Sequence, residues 1–151
     1  MKSIKVPYLI VFLSLSAILF LAATVESEDK IVGLWLTGNG KAKIKIEKTG
    51  PKFWGKIVWI GEPADKNGKP KTDKNNPDEK LRNTPIIGLR LLKDFVYDEN
   101  NLWKEGTIYD PESGNTYSCK LTLKDHSTLE VRGYVGLSLF GRTDIWKRQK
   151  E

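Results

Sequence analysis

The residues best suited to chemistry gather near the C-terminus. Residues 129–148, LEVRGYVGLSLFGRTDIWKR, set Arg132, Arg142 and Asp144 among Tyr134, Phe140 and Trp146. The run reads as two short strands joined at Gly136-Leu137-Ser138. Alternation puts Leu129, Val131, Gly133 and Val135 on one face of the first strand, and Glu130, Arg132 and Tyr134 on the other. Phe140, Arg142, Asp144 and Trp146 share a face of the second strand. A buried charge needs a partner, so this interleaving implies either a wetted face or a paired polar network. If Arg132 and Arg142 face a cavity, their guanidinium forks can receive a carboxylate or phosphate of a ligand. If they do not, Glu105, Glu130 and Asp144 neutralise them across neighbouring strands. The same carboxylates could supply an acid–base pair for a hydrolase of the glycosidase kind. Trp54, Trp103, Trp146, Tyr109 and Tyr134 lie on faces that also carry charge, and either line an amphipathic pocket with the arginines or pack as core.

Other chemistries are poorly supplied. Cys119 is the single cysteine and His126 the single histidine, which excludes an internal disulfide and leaves few routes to a metal site. Cys119 falls on the inward face with Tyr117 and Leu121 and reads as a small buried hydrophobe. About 20 Å of extended chain separates it from His126, so the two do not make a nucleophile–base pair. Asp65, Asn67, Asp73, Asn75, Asn76 and Asp78 suggest a calcium loop, but the spacing fits no EF-hand and Lys66, Lys69, Lys71 and Lys74 oppose a cation. No metal site and no cofactor is therefore expected. The 25 Lys and Arg against 19 Asp and Glu give a net charge of +6. That excess suits a solvated surface or loose attraction to anionic lipid or polyanions; the lysines are scattered among acids and form no nucleic-acid motif.

The elements that position these residues are strands. Lys2 and Lys5 precede an uncharged run over residues 6–23, the n- and h-regions of a secretory signal peptide ending after Thr24 or Ser27. Export is expected, periplasmic in a double-membrane cell and secreted otherwise, with residues 1–27 as leader and 28–151 as one domain; an uncleaved leader would be the sole membrane contact. Residues 31–37, 41–48 and 52–60 form a meander turned at Asn39-Gly40 and Thr49-Gly50-Pro51, with Phe53, Gly55, Ile57 and Trp59 on one apolar face. Residues 61–85 make a long loop, with a helical turn at 76–81 capped by Asn76 and opened by Pro77. Strands resume over 86–96, 102–109 and 116–124. The fold class is all-β, and about eight strands in sequence with no crossover helix predict a small antiparallel up-and-down barrel, which leaves no sheet edge. A half-open sheet or sandwich is the alternative closure.

Several short motifs recur in one order: Gly33-Leu34-Trp35, Asp73-Lys74-Asn75-Asn76-Pro77-Asp78, Pro85-Ile86-Ile87-Gly88-Leu89, Ile108-Tyr109-Asp110-Pro111-Glu112, Val131-Arg132-Gly133-Tyr134 and Leu139-Phe140-Gly141-Arg142-Thr143. In this the chain resembles the bacterial exported family called domain of unknown function 2147. The resemblance implies an exported single domain and carries over no catalytic residue. Gly33-Leu34-Trp35 with Arg148 also looks like the lipocalin signature, in which a basic side chain lies over a Trp at the barrel's closed end.

Three functions fit. The first is a binding module holding a small amphipathic or anionic ligand, with Trp103, Trp146, Tyr109 and Tyr134 giving area and Arg132, Arg142, Asp144 and Glu105 giving polarity. The second is an envelope protein that meets a protein partner through the 61–85 loop, its barrel filled solid. The third is a hydrolase dependent on carboxylates alone, since no nucleophile–base pair, metal set or phosphate loop can be assembled.

Overall fold

The computed structural model describes residues 28–151, so the leader expected at 1–27 lies outside the described residues. Eight antiparallel strands follow one another: β1 (Gly33–Leu36), β2 (Ala42–Thr49), β3 (Lys52–Ile60), β4 (Arg90–Tyr97), β5 (Leu102–Asp110), β6 (Asn115–Asp125), β7 (Thr128–Tyr134) and β8 (Gly141–Gln149). Each pairs with its neighbours in sequence, and β8 returns to β1, so the sheet is a closed up-and-down barrel. The expected barrel forms; the sandwich and half-open sheet do not. Helical structure among the described residues is limited to 3-10 turns at Glu28–Ile31, Glu79–Leu81 and Ser138–Phe140.

Closure is the demanding step, because β1 is short and meets β8 at three pairs only: Leu34 with Gln149, Trp35 with Arg148, and Leu36 with Lys147. Arg148 reinforces them. Its guanidinium carbon lies 4.2 Å from the Trp35 ring centroid. Its Nη1 donates to the Val32 carbonyl at 2.9 Å, its Nε to the His126 carbonyl at 2.6 Å, and its Nη2 to the Lys30 carbonyl. Trp35 in turn donates its indole N–H to the Ile31 carbonyl at 2.9 Å. Gly33 makes room for the cation: it sits at φ +137°, and a Cβ there would fall 2.7 Å from Arg148 Nη1. Partial burial lowers the Arg148 pKa.

The interior is solid at this closed end. Trp35, Ile46, Phe53, Phe95, Trp103 and Leu129 are fully buried there. Trp103 meets Phe53 edge-on at 6.1 Å and Tyr97 at 5.1 Å between ring centroids. Cys119, Leu121 and Leu123 point inward as alternation predicts.

Departures from the sequence reading have local causes. In β3, Lys43 pairs with Trp59 and Ile44 with Ile57, so Val58 is an extra residue. This bulge inverts the face beyond it: Trp59, expected inside, is 42% exposed under the Lys43 ammonium. The strand expected from residue 86 begins at Arg90, because Leu89 and Gly88 are held by Ile57 from outside regular pairing and Ile87 is exposed. Ile31 lies in a 3-10 turn, not in β1. The helical turn in the long loop is capped by Asp78, whose carboxylate accepts from the Lys80 amide at 3.0 Å; Asn76, the expected cap, accepts from the Asp78 amide instead.

Removing the clasp should cost more than an ordinary surface change. Arg148→Ala strips donors from three carbonyls and a cation from Trp35, and is expected to lower unfolding stability by roughly 3 kcal/mol. Urea denaturation followed by near-ultraviolet circular dichroism checks it, and a loss under about 1 kcal/mol, the scale of an exposed ion pair, would mean that closure rests on the strand ladder alone.

Candidate functional site

The other half of the barrel is hollow. A cavity of about 1280 Å³ opens at the end where the β1–β2, β3–β4, β5–β6 and β7–β8 connections lie. Its deep wall is apolar, formed by Ile44, Ile57, Leu91, Ile108, Val131 and Trp146. These residues stand on β2, β3, β4, β5, β7 and β8, so the period-two alternation of the whole barrel builds the wall. The mouth is polar and mixed in charge, with Lys41, Lys71, Lys74 and Arg142 facing Glu62, Asp65, Asp110, Glu112 and Asp144.

The pairing of these charges is uneven. Asp144 Oδ2 accepts the Trp146 indole N–H at 2.8 Å and the Gly38 amide at 3.2 Å, and its Oδ1 accepts the Ile145 amide at 3.0 Å. Gly38 is required for this contact, since a Cβ would come within 2.0 Å of Asp144 Oδ1. Asp110 accepts from the Glu112 amide and the Ser113 hydroxyl, and Asp65 from the amides of Asn67 and Lys69. Glu62 pairs with Lys71 at 3.1 Å. Arg142, Lys41 and Lys74 make no ion pair among the described residues.

The long loop 61–85 forms one side of the mouth and is tied to the barrel by a buried network. Asp73 is fully buried; its Oδ1 accepts the Tyr109 hydroxyl at 2.7 Å and its Oδ2 the Asn76 side-chain Nδ2 at 2.7 Å. Asn75 donates to the carbonyls of Pro111 and Glu112 at 3.2 and 2.8 Å, across the β5–β6 turn. Asp65, Asp73, Asn75, Asn76 and Asp78, which in sequence suggest a calcium loop, thus serve the loop's own backbone and its seat. Burial first, and the bond to Asp73 second, push the Tyr109 phenol up to about 12.

Of the residues singled out from the sequence, Tyr109, Tyr134, Arg142, Asp144 and Trp146 line the cavity together. Arg132, Glu105 and Trp103 do not. Arg132 projects outward from β7, where Nε donates to the Ser138 carbonyl at 2.7 Å, Nη2 to that of Leu139 at 3.2 Å, and Nη1 to the Thr143 hydroxyl at 2.7 Å. Glu105 is exposed at φ +65° in a β5 bulge between Trp103 and Gly106. Trp103 belongs to the solid end. Glu130 pairs with Lys124 at 3.3 Å, so the carboxylates proposed for hydrolysis do not share a site with Asp144. Cys119 is fully buried and its thiol is pushed up to about 12 by that burial, which keeps it protonated. Sequence reasoning passed over Lys41, Lys74 and Tyr117 as parts of the mouth; Tyr117 already lay on the inward face of β6, but the lysines gave no signal, since turns bring them there.

A closed eight-stranded antiparallel barrel with one plugged end, an Arg over a Trp at the plug and a cavity at the other end defines a lipocalin-like fold. The family profile of uncharacterised proteins conserved in bacteria, DUF2147, matches residues 33–148, and the chain belongs to that family. A solved structure of similar fold is protein HP1028 from the human pathogen Helicobacter pylori, described as belonging to the lipocalin family. It superposes with a TM-score of 0.71 at 24% identity, over 80% of this chain and 84% of that one. No curated protein matches the chain.

The loop anchor has two measurable consequences. Tyr109→Phe leaves one Asp73 oxygen without a donor in a buried place, and is expected to cost roughly 1–3 kcal/mol and to speed hydrogen exchange across residues 71–85. The phenol's raised pKa means the folded chain keeps a proton that the unfolded chain releases from about pH 10. The stabilisation is complete below that pH and is lost as pH climbs toward 12. A stability profile of Tyr109→Phe that runs parallel to the parent above pH 10 would remove this linkage.

Proposed function

We propose that this barrel is a binding module for one small amphipathic molecule carrying an anionic group. The apolar body would lie on Ile44, Ile57, Leu91, Ile108, Val131 and Trp146, and the acid would meet Arg142. The observation that supports this most is the unequal charge pairing at the mouth. Its carboxylates, apart from Glu112, accept hydrogen bonds from the protein's own donors, whereas Arg142, Lys41 and Lys74 make no ion pair among the described residues. A guanidinium at the edge of an apolar cavity orients an amphipathic guest by bidentate bonding, while the wall supplies area. The signal-like run at residues 6–23 supports placing this module outside the cytoplasm. A partner-contact role for the 61–85 loop has less support, because Asp73, Asn75, Asn76 and Asp78 are spent on holding the loop in place.

Fluorescence titration with an anionic and a neutral naphthyl probe, anilinonaphthalene sulfonate and N-phenylnaphthylamine, tests both parts. Arg142→Gln should weaken the sulfonate by roughly tenfold or more and leave the neutral probe within about twofold. Equal affinities of parent and variant for the sulfonate would remove the Arg142 assignment. Failure of both probes to bind the parent would remove the cavity reading itself.

A further inference from the structure

The connection between β7 and β8 adds Val135 and Phe140 to the rim of the cavity, which does not account for the rest of its composition. Residues 133–141 contain no Asp, Glu, Lys or Arg. Four of their apolar side chains point into solvent: Val135 is 70% exposed, Leu137 69%, Leu139 77% and Phe140 73%. Leu129 and Val131, earlier on the same strand, are buried, so the exposure begins where the strand leaves the barrel. Single exposed apolar residues are ordinary, but four within six positions form a patch.

The backbone of this tip is also prepared for an apolar medium. The Leu137 carbonyl accepts the Phe140 amide at 3.0 Å within the 3-10 turn Ser138–Phe140. The carbonyls of Ser138 and Leu139 are taken by the Arg132 guanidinium, which Thr143 braces from β8. Three consecutive carbonyls therefore have donors before the tip meets anything, which lowers the cost of withdrawing those three groups from water.

We infer that the β7–β8 tip is a membrane-surface anchor, whose Val135, Leu137, Leu139 and Phe140 enter the interfacial layer of a bilayer bearing anionic headgroups. Two arguments favour a bilayer over a second copy of the chain. Four such side chains offer roughly 400 Å² at about 100 Å² apiece, half of the about 800 Å² per partner that a stable interface uses. In addition, cations that make no ion pair among the described residues lie near the tip: Arg142 is two residues past Phe140, and Lys41 and Lys74 line the same mouth, on a chain of net charge +6. Val135 and Phe140 also line the cavity, so an anchored tip turns its mouth toward the headgroups. Arg132 is then a positioning residue for the tip. The inference stands independently of any ligand in the barrel.

The test uses residues 28–151, which form the closed barrel with its own core, and vesicles of phosphatidylcholine with and without about one third phosphatidylglycerol. Leu137→Ser with Leu139→Ser alters exposed side chains outside the cavity lining, so its thermal midpoint and its neutral-probe binding should match the parent. The parent is expected to float with the anionic vesicles, and the double variant to partition roughly tenfold less or weaker. Equal flotation of parent and variant, or none for the parent, overturns the anchor. Equal flotation of the parent on pure phosphatidylcholine overturns the part played by anionic headgroups. A parent dimer in sedimentation velocity that the double variant converts to monomer assigns the tip to a second copy instead.

Discussion

Everything in this protein depends on the sheet closing, and closing depends on one cation. An eight-stranded meander exposes two edges unless its first and last strands meet. Here the first strand has four residues and offers three paired positions to the last. A ladder that short is a weak seam. Arg148 fixes it from the plugged end by lying on Trp35 while bonding to carbonyls before β1 and in the β6–β7 turn. One side chain thus joins three separate parts of the chain. Lys48 adds to this end by pairing with Glu28 and Asp29 at 2.7 and 3.0 Å, which holds the N-terminal turn against β2.

With one end clasped, the barrel can leave the other end open. Large rings fill the volume around Trp35, Phe53, Phe95 and Trp103, and the smaller aliphatic chains beyond them do not. The hollow is therefore a consequence of where bulk is spent along each strand. The clasp and solid core lie at one end, and the cavity, the long loop and the apolar tip at the other. Arg132 and Arg142 show the division within one hairpin. Arg132 spends its hydrogen bonds on the backbone of the tip and on Thr143, and Arg142 faces the mouth without an ion pair among the described residues.

The long loop is the least regular part of the chain and still has a defined seat. Its Asp73 is as buried as any core residue, because Tyr109 and Asn76 satisfy it. The loop is thereby made part of the cavity wall instead of a free flap. Acidic and amide residues clustered in a loop look like cation ligands on paper. In the folded chain the oxygens of Asp65, Asp73, Asn76 and Asp78 accept hydrogen bonds in caps and turns and from a phenol.

The sequence by itself determined the fold class, the strand count, the inward faces of β2, β6 and β7 and the buried character of Cys119, while the contact of Arg148 with Trp35 was suggested by the resemblance to the lipocalin signature. Alternation at period two and turn residues are local signals, and a barrel of consecutive strands needs nothing beyond them to specify its topology. It also brought forward Arg142, Asp144 and Trp146 as one face of β8. What it could not decide were matters set by contacts between distant residues. The bulge at Val58 put Trp59 outside, and the bulge at Glu105 left that carboxylate in solvent. Arg132 stands on the outward face of β7, opposite to that of Val131, and the corner carbonyls take its guanidinium there. Whether a charge is free or already paired is a property of the folded geometry, because its partner, like Gly38 for Asp144 or Tyr109 for Asp73, lies far away in the chain and is brought near only when the barrel closes.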